Sequence, residues 1–157
     1  MKTISAKKLK GTDMDVAVTG CRSIRMVTDK DNMGFSVNKT SIPKGGPQHW
    51  HYHNHLEACY CVSGKGILTN LETKEIYKIE PETIYLLDNH DNHTFQALED
   101  TVLISVFNPP LSGFEKHDKH GSYPKSNYVR EKAKKIVETV NRSHSNYDAC
   151  DSLISML

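Results

Sequence analysis

Between Arg22 and Phe107 short β-favouring runs alternate with turn signals about every ten residues, and this rhythm leaves little choice of fold. SIRMVT is followed by DKDNMG, FSVNKTSI by PKGGP, and HWHYHNHLEACYCV by SGKG. GILTNL and EIYKI flank Glu72-Thr73-Lys74 as a hairpin. TIYLLD, HTFQAL and VLISVFNPPL follow, divided at Asn89-His90-Asp91-Asn92 and at Glu99-Asp100. Such a series predicts an all-β fold, a small antiparallel barrel or sandwich. After Asn108-Pro109-Pro110 the pattern changes. YVREKAKKIVETV sets Val129, Ala133, Ile136, Val137 and Val140 at helical spacing, and Tyr147, Cys150, Leu153, Ile154 and Leu157 outline a second short helix. The expected organisation is a barrel domain over 1–124 and a helical extension over 125–157, packed on the barrel or across a dimer.

Composition narrows the function. The net charge is +1, which gives no electrostatic reason to bind nucleic acid or an acidic membrane. MKTISAKKLKG lacks the apolar run of a secretory signal, and no apolar stretch is long enough to span a bilayer. Cys21, Cys59, Cys61 and Cys150 form no C-x-x-C pair, so they are expected as structural thiols in a reducing, cytoplasmic compartment.

The chemistry concentrates in the third strand. His49, His51, His53, His55 and Glu57 recur every second residue, so a regular strand would set all five on one face. Imidazoles ending in a carboxylate suit iron, manganese, nickel or zinc. The alternative is a solvated, histidine-rich strand. Gly45, His51, His53, Glu57 and Gly64 fit G-x5-H-x-H-x3-E-x6-G, the first cupin motif. The second cupin motif is degraded: Pro81 is present, Thr83 replaces a glycine, and Leu86 stands where the histidine belongs. His93 and His90 are the nearby histidines. The expected fold is therefore a small jelly-roll-like cupin barrel with short C-terminal helices.

A closer resemblance lies in Gly11-Thr12-Asp13, MGFS, NHLEACYCVSGKG, LET, IYLLDNHDNH, VFNPPLSG and EKHDKHGSYP, spread over residues 11–124. This series resembles the ectoine synthase family of the cupin superfamily. The resemblance implies a cytoplasmic homodimer with a metal, most often iron(II), held by Glu57, Tyr85 and His93. It implies closure of N-γ-acetyl-L-2,4-diaminobutyrate into ectoine, a compatible solute. The free α-amine attacks the acetamide carbonyl and water leaves. A metal can polarise that carbonyl, and a carboxylate and an imidazole can move the protons. Glu115 and His117 are the candidates for that role, with Tyr52 on the pocket wall beside them. Arg25 matches the substrate-side arginine, a natural carboxylate clamp. Asn38, Thr40 and Phe107 match further pocket positions. Two departures stand out: Cys21 where the family carries tryptophan, and Ser105 where it carries cysteine. A wider, more polar pocket keeps open a different N-acetylated amino acid as substrate, or a cupin that only binds a solute or a metal. The extension over 125–157 exceeds the family's short tail, and no catalytic role is expected of it.

Overall fold

The computed structural model describes residues 1–18 and 20–143. The chain divides into a first unit, Met1–Lys125, and a second that begins at Ser126. The first unit opens with a one-turn helix, α1 (Ala6–Leu9). Ten strands follow: β1 (Asp15–Val18), β2 (Cys21–Val27), β3 (Ser36–Ile42), β4 (Gln48–Trp50), β5 (Leu56–Ser63), β6 (Gly66–Asn70), β7 (Ile76–Ile79), β8 (Ile84–Leu87), β9 (His93–Ala97) and β10 (Thr101–Asn108). Every pairing is antiparallel. Six strands form one sheet in the order β1-β2-β3-β10-β5-β8, and four form a second in the order β4-β9-β6-β7.

The inward residues of both sheets interleave in one core. Phe95, Leu68, Ala97 and Trp50 from the four-stranded sheet meet Cys59, Cys61, Leu87, Leu103 and Phe107 from the six-stranded one. Strict alternation drives this packing. On β10 every second residue from Thr101 to Phe107 is buried, and on β9 His93, Phe95 and Ala97 point inward. Gly66 is required by contact, since a Cβ there would stand 2.3 Å from the Phe95 ring. The β6–β7 hairpin turns where the sequence predicts. Asn70 Oδ1 accepts the N–H groups of Glu72 at 2.8 Å and Thr73 at 3.0 Å, and Lys74 takes positive φ.

The long third strand is not continuous. It is two strands, β4 and β5, with a tight turn between them in which His53 N–H donates to His51 O at 3.1 Å. Trp50 and Tyr52 point inward before the turn, and His55 and Glu57 point inward after it. The phase has slipped by one residue, which sends side chains to the opposite face. The single histidine face expected from the spacing is therefore split. His49 and His53 are exposed, His51 is half-buried, and His55 lies buried edge-on to Phe107 and Tyr123.

In the second unit α2 (Tyr128–Ser143) forms over the segment with helical spacing. Val129 and Ile136 on it are exposed. The expected second helix, with Tyr147, Cys150, Leu153, Ile154 and Leu157, lies outside the described residues. Among the described residues no helix is long and apolar enough to cross a membrane.

Candidate active site

A narrow cavity of about 20 Å³, room for about one water, opens between the sheets. The six-stranded sheet supplies its floor. Cys21 and Ser23 come from β2, Thr40 from β3, Glu57 and Cys59 from β5, Tyr85 from β8, and Ser105 and Phe107 from β10. The pairing makes neighbours of them: Ser105 lies opposite Cys59, Phe107 opposite Glu57, and Cys59 opposite Tyr85. Trp50, Tyr52, His117 and Tyr123 complete the wall.

At the floor Cys59 Sγ donates to Glu57 Oε1 at 3.1 Å and lies 3.3 Å from Ser105 Oγ. Ser105 Oγ is in turn 3.2 Å from Thr40 Oγ1. Burial pushes the Glu57 carboxyl up to about 7, against the hydrogen bonds from Cys59 and Ser105 and the positive field of Arg25. Burial also raises Cys59 and Tyr85, and lifts Cys21 to about 12.

The loop from Ser112 to Tyr123 forms the opposite wall. Gly121 fixes its approach: φ is +74°, and a Cβ would stand 2.5 Å from His49 O. The loop sets His117 Nε2 3.0 Å from the Tyr52 hydroxyl and packs His117 against Tyr123, with centroids 4.4 Å apart and the rings tilted by 32°. Burial, helped by the Arg25 charge, brings His117 down to about 4, so its imidazole is neutral at pH 7.

Arg25 is a buried cation. Its Nη2 donates to the Tyr123 hydroxyl at 2.9 Å and to Glu115 O at 3.4 Å. With the Asn38 amide in its better orientation, Nη1 donates to Asn38 Oδ1 at 2.9 Å. Its guanidinium carbon sits 5.0 Å from the Tyr123 ring centroid. Its Nε has no acceptor, and none of the ion pairs among the described residues includes it.

Not every expected site residue lines the cavity. Cys21, Thr40, Tyr52, Glu57, Tyr85, Ser105, Phe107 and His117 do. Arg25 and Asn38 do not line it: Arg25 is joined to its wall through Tyr123 and in turn holds Asn38. The Glu115 carboxylate is engaged elsewhere, accepting the N–H groups of Ser112 at 2.6 Å and Gly113 at 2.9 Å. Those bonds outweigh its burial and hold its carboxyl below the usual range. His93 packs its ring 6.2 Å from Trp50 and 6.3 Å from Tyr52, and shares with Tyr85 a second cleft beside β7 and β8. The spacing argument passed over Cys59, Trp50 and Ser23 as site residues. Cys59 was legible as an inward neighbour of Glu57, two residues on along one strand.

By chemical type the expected donors suit a metal, with Glu57 on the cavity, His93 in the neighbouring cleft and Tyr85 lining both. His93 Nδ1 is fixed on Asp91 O at 2.8 Å, while its buried Nε2 has no partner, the usual state of a ligating imidazole. Glu57 is a buried carboxyl without a cation at hydrogen-bond distance, and Tyr85 adds a buried phenol. Among the described residues no three of His, Cys, Asp and Glu gather as a metal cluster. The expected set holds only two residues of those types, with Tyr85 as the third.

Comparison with known proteins adds the family. The model of the ectoine synthase family matches residues 1–127. An L-ectoine synthase from Desulfatibacillum aliphaticivorans is 48% identical over 116 residues, covering 73% of this chain and 89% of that protein. The crystal structure of ectoine synthase from P. lautus superposes with a TM-score of 0.68 at 36% identity, covering 72% of this chain and 81% of the other. An RmlC-like cupin from Shewanella frigidimarina superposes at 0.53 with 17% identity over 69% of this chain and 92% of its own, and so shares the fold. The chain is a cupin-fold enzyme and belongs to the ectoine synthase family of carbon–oxygen lyases.

Proposed function

We propose that this protein closes N-γ-acetyl-L-2,4-diaminobutyrate into ectoine with loss of water. The observation that carries the reading is Arg25. A guanidinium buried without a carboxylate is costly and calls for a counter-charge; from behind the wall its charge reaches the cavity through the Tyr123 hydroxyl, and the substrate brings one carboxylate. With that end held, the free α-amine folds back on the acetamide carbonyl in a six-membered approach, which removes the entropic cost of a two-body encounter.

The proton traffic falls to His117 and Tyr52. A neutral imidazole accepts a proton from the α-ammonium at Nε2, and the Tyr52 hydroxyl beside it orients the ring and relays. His117 returns that proton to the leaving oxygen. The second hydrogen of the departing water comes from the same nitrogen once it has attacked. Phe107, Trp50 and Tyr123 exclude bulk water. Glu115 holds the 112–117 loop and, through its carbonyl, Arg25; it is a positioning residue. Glu57, Tyr85 and His93 would hold the metal, iron(II) by preference, which when bound supplies Lewis-acid polarisation of the carbonyl.

Cys21 and Ser105 both line the cavity, and this favours a second reading in which a different N-acetylated amino acid is the substrate. The test is direct: load the purified protein with iron(II) without oxygen, add N-γ-acetyl-L-2,4-diaminobutyrate, and follow ectoine by NMR with a chelator control. Chelator-sensitive ectoine is the expected result. Iron bound without ectoine overturns the substrate. The proposed setting is the cytoplasm and the proposed assembly a homodimer, supported by the exposed Leu56, Tyr60, Val62, Ile84 and Leu86 on one outer face of β5 and β8.

A further inference from the structure

We propose that Cys59 is a further metal ligand of this site, binding the cation through its sulfur beside Glu57 and Tyr85. The inference rests on the reading of the site as a metal centre. Three observations carry it. First, Cys59 Sγ and Glu57 Oε1 are 3.1 Å apart and share the inward face of β5. A first-row cation binds oxygen at about 2.1 Å and sulfur at about 2.3 Å, so two neighbouring donors stand about 3.1 Å apart around an octahedral cation and about 3.6 Å apart around a tetrahedral one. The pair, bridged by a proton, is at the octahedral separation. Second, this thiol belongs to the core cluster but also faces polar groups: it donates to Glu57 Oε1, lies 3.3 Å from Ser105 Oγ and pairs across the strands with Tyr85. Third, the carboxylate and the phenol it joins both line the cavity, while His93, whose buried Nε2 lacks a partner, does not. On the cavity floor Cys59 therefore stands between Glu57 and Tyr85, two of the three expected ligands, with His93 reaching Tyr85 from the neighbouring cleft.

Binding breaks the Cys59 S–H bond, forms a sulfur–metal bond and releases the proton to solvent. A soft sulfur added to hard oxygens favours iron(II), cobalt(II) and zinc(II) over manganese(II) and magnesium(II).

The experiment loads metal-stripped full-length protein with cobalt(II) without oxygen. Visible bands report that cobalt is bound, and a near-ultraviolet thiolate-to-cobalt charge-transfer band reports sulfur ligation. The band is expected in the wild type, in Cys21→Ser and in Cys61→Ser, and absent in Cys59→Ser, which should also bind cobalt at least about tenfold more weakly. X-ray absorption of the wild type should show one sulfur at about 2.3 Å, independently of how any variant folds. Bound cobalt without a sulfur scatterer overturns Cys59 as a ligand and leaves the metal site standing. A band that survives Cys59→Ser does the same. A wild type that takes up no cobalt, iron or zinc overturns both readings.

Discussion

At Arg25 the tyrosine, the amide and the carbonyl that hold the guanidinium are all neutral, so its charge is positioned but not cancelled. Lysine keeps the charge but lacks the planar fork. Arg25→Lys should therefore raise KM and lower kcat/KM by about ten- to hundredfold, the worth of one or two charge-assisted hydrogen bonds. Steady-state kinetics on protein of unchanged circular dichroism checks this. Glu115 acts at one remove. Glu115→Ala frees the N–H groups of Ser112 and Gly113 and loosens the loop that carries His117. Turnover should fall while bound metal, measured by atomic emission, is retained. Unchanged turnover would remove Glu115 from the positioning set.

Among the elements, the loop ending at Tyr123 depends on one backbone position. Gly121→Ala meets His49 O and takes on positive φ, a cost of about 1–3 kcal/mol. The expected result is a lower melting temperature and a loss of kcat/KM larger than the loss of stability explains, because His117 moves off Tyr52. Strand rhythm made β2, β3 and β5 to β10 legible, since alternation and turn residues are local properties. Local rhythm cannot report where the phase slips. A regular reading of His49 to Glu57 put five side chains on one face, and the turn at His53 divides them. The cavity residues Thr40, Glu57, Tyr85, Ser105 and Phe107 were legible through the motif and the family resemblance, since parity alone would also have placed Asn38 there beside Thr40. The site was not legible where depth mattered: nothing local says that Arg25 sits behind Tyr123, or that the Glu115 carboxylate folds back on its own loop.

For the whole molecule, acid sensitivity follows from the buried imidazoles. Burial holds His55, His93 and His117 at about 4, below the ordinary 6.5, so between these values the unfolded chain binds more protons and stability falls as pH drops. Glu57, raised to about 7, opposes this: its contribution is full below 4.5 and is lost as pH rises towards 7. Three groups outweigh one, at about 1.4 kcal/mol per pH unit for each net proton. The melting temperature of the metal-free protein should fall steadily from pH 6.5 to 4.5, and a flat profile by calorimetry would refute the buried neutral histidines. The proposed dimer is checked by light scattering. Ile84→Lys with Leu86→Lys should convert a dimer into a folded monomer, and a monomeric wild type would remove the dimer.

The phase slip between β4 and β5 also constrains how this chain can change length. The turn works as a parity bit. Removing or adding a single residue there would exchange inside for outside along one flanking strand, turning Trp50 and Tyr52 to solvent or Glu57, Cys59 and Cys61 away from the core. Changes by two residues preserve the reading frame of both faces. Relatives that share this cavity should therefore differ across this turn by even numbers, and an odd change should coincide with a compensating bulge.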